Sequence, residues 1–131
     1  MPRQNISSGT PWEAVVGYSR AVRVGNVVHV SGTTASDASG AVISPGDARA
    51  QTIYIIEKIE RALKEAGATL ADVVRVRMYV TDISRWKEIG EAHGSFFKDI
   101  RPTTTMLEVK ALVDPLHLVE IEVEAIIGAG A

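Results

Sequence analysis

Four stretches of the chain alternate or repeat clearly enough to assign elements from side-chain pattern alone. Val119 to Ile127 alternates aliphatic and acidic, so an extended strand puts Val119, Ile121, Val123 and Ala125 on one face and Glu120, Glu122 and Glu124 on the other. Val73 to Thr81 reads as a second strand, with Val74, Val76, Met78 and Val80 opposite Arg75, Arg77 and Tyr79. Between Asp47 and Gly67, the residues Thr52, Ile55, Ile56, Ile59, Ala62, Leu63 and Ala66 recur at helical steps, with Asp47 as N-cap and Gly67 as stop. A second helix is predicted from a Ser84 cap to about Asp99, with Trp86, Ile89, Ala92 or His93, and Phe96-Phe97 inward.

The remaining segments follow from turn chemistry. Tyr18 to Val24 and Val27 to Thr33 form a predicted hairpin around Gly25-Asn26. Thr34 to Gly46 is predicted as a loop holding at most a short strand at Ala41 to Ile43. Arg101-Pro102 ends the second helix and starts a strand from Thr103 to Lys110. Residues 1–13 are expected to form an irregular arm, and 128–131 a frayed tail. The order β-β-(β)-α-β-α-β-β implies an α+β fold, a mixed sheet of about six strands with two helices on one face. Residues 1–131 are expected to make one domain.

Three glutamates on one strand face repel each other, and something must offset them: arginines on a neighbouring strand, a subunit interface or a polar cleft. The whole second face, with Arg75, Arg77, Tyr79 and those glutamates, is too polar for a core and too rich in paired charge for ordinary surface. It points to a homo-oligomer with its site between subunits.

Composition narrows the function classes. A net charge of −2 argues against nucleic acid as the main partner. The chain has no cysteine, which removes thiol chemistry and disulfides. No apolar run approaches the roughly 18 residues of a membrane span, and no leader pattern is visible, so a cytoplasmic protein is expected. His29, His93 and His117 form no pair at ligand spacing, and no metal is expected. Trp12 and Trp86 are expected to be packing residues.

Four segments carry a family resemblance: Val16-Gly17-Tyr18-Ser19 with Val30-Ser31-Gly32, the helix end Ala66-Gly67, Val80-Thr81-Asp82-Ile83 with Phe96-Phe97, and Pro102 to Val109 with Ile121 to Ile126. In these the chain resembles the reactive-intermediate deaminase family, also called Rid or YjgF. The resemblance implies a chorismate-mutase-like fold, a homotrimer with clefts between subunits, no cofactor, and hydrolysis of enamines or imines to a keto acid and ammonia. It implies that Glu122 positions water, that Tyr18 is a cleft aromatic, and that Ser31 and Gly32 form a wall. Gly90 and Thr104 stand where typical members carry a cleft asparagine and a carboxylate-clamping arginine. Threonine cannot make the bidentate contact, so the expected substrate is an imine, enamine or related electrophile without a standard α-carboxylate. Strand parity is read as placing Thr104 and Met106 on Glu122's side, with Leu107 and Val109 toward the helices.

Each residue also has a plain structural reading. Glu122 could pair with Arg75 or Arg77, Tyr18 could be a strand-start aromatic, Ser31-Gly32 a tight turn, and Thr104 a strand filler. At the level of the whole chain, the alternatives are a non-catalytic trimeric small-ligand binder and, least favoured by the acidic balance, a ribonuclease or translation inhibitor.

Overall fold

Nine regular elements organise the computed structural model, which describes residues 2–131. They are β1 (Arg3–Ile6), α1 (Pro11–Val16), β2 (Ala21–Val24), β3 (Val27–Thr34), α2 (Ala48–Glu65), β4 (Val73–Val80), α3 (Trp86–Phe97), β5 (Thr103–Glu108) and β6 (Val119–Ile126). One mixed sheet runs β1-β2-β3-β6-β4-β5. Only β4 and β5 are parallel neighbours, and α3 supplies the crossover a parallel pair requires. The α+β architecture expected from the pattern is borne out.

The core lies between the sheet and α2. Asp47 caps α2 by accepting from the Ala50 backbone N–H at 2.9 Å. Ile55, Ile56, Ile59 and Leu63 are then buried with Val28, Val30, Val76, Met78, Val80, Val119, Ile121 and Val123. Each such side chain contributes about 1.5–3 kcal/mol on burial. The two-residue Gly25-Asn26 connection is also present, joining the Val24–Val27 pair, with Gly25 at φ 59°.

Several local expectations are corrected. The N-terminal segment is not an irregular arm: β1 pairs with β2, and Pro11 starts α1 at a position where its missing N–H costs nothing. Only Ile6 of β1 is buried, so this edge strand leaves almost no hydrophobic alternation to read. Gly17, at φ 88°, ends α1 and delays β2 to Ala21, leaving Tyr18 in the connection. Ala41 to Ile43 contributes only a single bridge, Ser36 to Val42.

A register shift between Val73 and Arg75 makes Val73, not Val74, the core residue at the start of β4. Asp82 rather than Ser84 opens the second helical segment, through a 3-10 turn at Ile83–Arg85. Trp86 follows that turn and, like Trp12 on α1, is 59% exposed, so neither tryptophan is a core residue of the protomer. The tail is held rather than frayed: Asp72 Oδ1 accepts from the N–H of Gly128 at 3.1 Å and of Gly130 at 3.2 Å.

Candidate functional site

The three glutamates of β6 lie on the sheet face opposite α2, between β3 and β4. Register places Arg75 beside Glu124, Arg77 beside Glu122, and Tyr79 beside Glu120. Neighbouring strands thus supply the offset that the acidic face requires. Arg77 Nη1 lies 3.1 Å from Glu124 Oε1 and 3.8 Å from Glu122 Oε1. The Tyr79 hydroxyl donates to Glu122 Oε1 on the diagonal, two residues along β6 from its register partner Glu120. That bond to the neutral phenol, with burial adding to it, holds Tyr79 above its ordinary pKa. These ion pairs are partly solvated and each contributes at most about 1 kcal/mol; their larger effect is to orient Glu122. Both contacts engage Oε1. Among the described residues Oε2 of Glu122 has no protein hydrogen-bond partner.

β3 departs from regular pairing in front of these carboxylates. Val30 pairs with Val123 and Thr33 with Ile121, so Ser31 and Gly32 share the single position opposite Glu122. The Ser31 hydroxyl donates to the Ser19 carbonyl at 2.7 Å, tying the bulge to the segment after α1. Gly32 leaves room for the Glu120 carboxylate, since a Cβ there would stand 2.1 Å from Glu120 Oε2 and displace that side chain. Arg20 Nη2 donates to the Gly32 carbonyl at 2.8 Å, and its guanidinium carbon lies 5.6 Å from the Tyr18 ring centre. A cavity of about 240 Å³ opens here, lined by Val22, His29, Ser31, Arg77, Glu122 and Glu124.

Glu120 was not singled out from the sequence, yet its carboxyl is electrostatically perturbed. Burial pushes its carboxyl above the usual range, Arg20 partly offsets this, and the Glu122 charge adds to it. The alternating acid pattern pointed to this face; only the fold brings the Glu120 carboxylate against Gly32.

Tyr18, Ser31, Gly32 and Glu122 therefore form one connected neighbourhood. Thr104 and Met106 do not belong to it. Parallel pairing sets Thr104 beside Val76 and Met106 beside Met78, both core residues. Thr104 and Met106 consequently point to the helix-covered side, whereas Thr103, Thr105 and Leu107 share Glu122's side. The parity reading was inverted, because alternation within β5 does not say which of its faces meets the core. Met106 packs on the core cluster, and Thr104 is exposed on the edge strand with its hydroxyl donating to the Pro102 carbonyl at 3.0 Å. Gly90 lies on α3 with open space where a side chain would stand.

Comparison with known proteins matches the chain along nearly its whole length. Residues 9–127 match the family model described as Endoribonuclease L-PSP. The chain is 36% identical over 126 residues to Uncharacterized protein SCO2049 of Streptomyces coelicolor, covering 96% of this chain and 93% of that one. It is 34% identical over 122 residues to 3-aminoacrylate deaminase RutC of Acinetobacter baylyi, covering 92% and 95%. The crystal structure of Rv2704 from Mycobacterium tuberculosis, a member of the YjgF/YER057c/UK114 family, superposes with a TM-score of 0.88 at 54% identity, over 96% of this chain and 100% of that one.

Proposed function

We propose, from the premise that this chain belongs to the Endoribonuclease L-PSP family, also named YjgF/YER057c/UK114, that it hydrolyses a small imine, enamine or related electrophile, with Glu122 holding the attacking water. The observation that carries this reading is the fixed Glu122 carboxylate, held by Tyr79 and Arg77 through one oxygen, with the other left for water. Water attacks the imine carbon while Glu122 takes its proton. That proton passes to the nitrogen to give the carbinolamine; Glu122 then carries the carbinolamine's hydroxyl proton to the nitrogen, the C–N bond breaks, and a carbonyl compound and ammonia leave. No cofactor enters this sequence. A relative named as a 3-aminoacrylate deaminase gives the enamine class its support.

The cleft is read as shared between copies in a homotrimer. Gly90, Thr104 and Met106 lie on α3 and on the helix-covered side of β5, so they join Tyr18, Ser31, Gly32 and Glu122 only if contributed by a second copy. Exposed Trp12, Val15, Val16 and Leu107 offer apolar surface for such assembly. No helix of the described residues is long and apolar enough to cross a membrane, and the reading is of a cytoplasmic protein.

Thr104 lacks the charge to clamp a carboxylate, so the preferred substrate has no α-carboxylate. That same residue favours a second reading, a trimeric small-ligand binder with the chemistry lost. Ribonuclease activity fits poorly, because the open face presents three carboxylates, which repel a phosphate backbone.

The test is ammonia release from 2-aminoacrylate formed in situ and from a panel of imines without a carboxylate. The parent should turn over a panel imine faster than 2-aminoacrylate, Glu122→Ala should lose at least about a hundredfold, and Thr104→Arg should gain on 2-aminoacrylate. Full parent activity on 2-aminoacrylate would refute the substrate argument. Micromolar binding of small acids without any turnover would favour the binder.

A further inference from the structure

We propose that Arg20 is a positioning residue of the Glu122 site: its guanidinium ties the Tyr18 ring to the Ser31-Gly32 bulge and so sets the wall that stands opposite Glu122. Among the described residues it is the one buried arginine or lysine, at 6% exposure. A guanidinium stays charged under all ordinary conditions, so burying it is costly unless its contacts offset the lost water.

Two contacts do this, and they reach different parts of the site. Nη2 donates to the Gly32 carbonyl at 2.8 Å, and a charged donor makes such a bond about twice as strong as a neutral one. The guanidinium carbon lies 5.6 Å from the Tyr18 ring centre, within the range of a cation–π contact. Gly32 lies where the β3–β6 register shifts, so its carbonyl sits in an interrupted ladder that a side chain can hold in place. An ammonium could not make both contacts as well, because it has neither a planar face nor a fork of donors.

The backbone at position 20 makes the same connection. Its N–H donates to the Ile6 carbonyl at 2.8 Å, and its carbonyl accepts from the Ser31 N–H at 3.0 Å. Arg20 is therefore fixed between β1 and the bulge before its side chain turns onto Gly32 and Tyr18. Glu13 and Glu120 are the acids whose charges act on the guanidinium, and neither takes its donors. Glu13 Oε2 instead accepts from Ser8 N and Thr10 Oγ1, each at 3.1 Å, and the Glu120 side chain ends beside Gly32. The acids thus balance the charge while its hydrogen bond stays directed at the bulge. A wall displaced from Glu122 misplaces the bound electrophile, and an error of about 1 Å can cost about a hundredfold in rate.

The kinetic part of this inference rests on the imine-hydrolysis reading; the tie between Tyr18 and Gly32 does not, and it is tested first, on the intact chain without substrate. Guanidinium NMR of the parent should show hindered Cζ–Nη rotation at Arg20. In Arg20→Lys and Arg20→Gln, the Gly32 carbonyl and Tyr18 ring resonances should move, while the methyl signals of the core residues Val76 and Ile121 stay in place. On an imine that the parent turns over, Arg20→Lys should lose about tenfold or more, falling on kcat more than on KM. Added to Glu122→Ala it should cause little further loss, because a residue that acts by placing substrate against Glu122 then has nothing to place. A fully additive loss would make Arg20 a structural residue and overturn the proposal. So would a freely rotating guanidinium, a measurement that needs no variant to fold, or unmoved Tyr18 and Gly32 signals in a folded variant. Absence of turnover on every imine would refute the hydrolase reading instead, with the NMR result still deciding whether Arg20 holds the wall.

Discussion

Tyr79 donates its phenolic hydrogen bond to Glu122 diagonally across the β4–β6 pair, joining the most polar rows of the open sheet face. The bond gives Glu122 one defined orientation in an otherwise solvated setting. Tyr79→Phe should therefore lower kcat/KM on a turned-over imine about tenfold, while changing global stability by about 1 kcal/mol or less. The phenol itself provides a check that needs no substrate. Of the three tyrosines, Tyr79 should ionise above its usual value, principally because Glu122 binds its neutral form. In Glu122→Gln the Tyr79 phenolate absorbance should appear at lower pH than in the parent. An unchanged late transition would remove the link.

Gly32 and Glu120 should be thermodynamically coupled. A methyl group at position 32 meets the end of the Glu120 side chain rather than backbone, so that carboxylate must swing away. Gly32→Ala is expected to cost about 1–3 kcal/mol in the parent and clearly less in a Glu120→Ala background. Urea denaturation of the four proteins measures this, and a coupling below about 0.5 kcal/mol would mean the contact is unimportant.

Glu120 also predicts a pH dependence. Burial lifts its folded-state pKa above the ordinary 4.5, with Arg20 opposing and Glu122 assisting. The folded protein therefore binds this proton more tightly than the unfolded chain does. Its stabilising contribution is complete below the unfolded value and is lost as pH rises through the raised folded one. Glu120→Gln should show a shallower decline in urea midpoint across that window, and be the more stable protein at neutral pH relative to its own acid value. Parallel curves for parent and variant would contradict the assignment.

Assembly should bury the tryptophans that the protomer leaves outside. Sedimentation is expected to give three times the 14.1 kDa protomer mass. Acrylamide should quench the fluorescence of Trp12 and Trp86 less than their 59% protomer exposure implies. A monomer at micromolar concentration would defeat the shared-cleft reading.

Much of the fold could be read in advance where one segment carries its own signal. Helix α2 was legible because Asp47, the repeat from Thr52 to Ala66 and Gly67 all agree. β1 and α1 were not, since β1 depends on hydrogen bonds donated by β2 and buries one side chain. The acidic face was legible for the same local reason, as was its need for something to offset the repulsion; that Arg77 does so was not. Arg20 and Glu120 were not, because their importance comes from enclosure by segments remote in the chain.

Alternation in β6 determined by itself that Glu120, Glu122 and Glu124 share one side, since successive side chains of an extended strand point in opposite directions. Only the tertiary structure decided that Arg77 and Tyr79 stand next to Glu122, that the Ser31-Gly32 bulge faces it, and that Thr104 lies on the other side of the sheet. The reason is that parity belongs to one strand, whereas register and the choice of buried face are relations between strands. Those relations are settled by which pairing buries Val76, Met78, Ile121 and Val123 together.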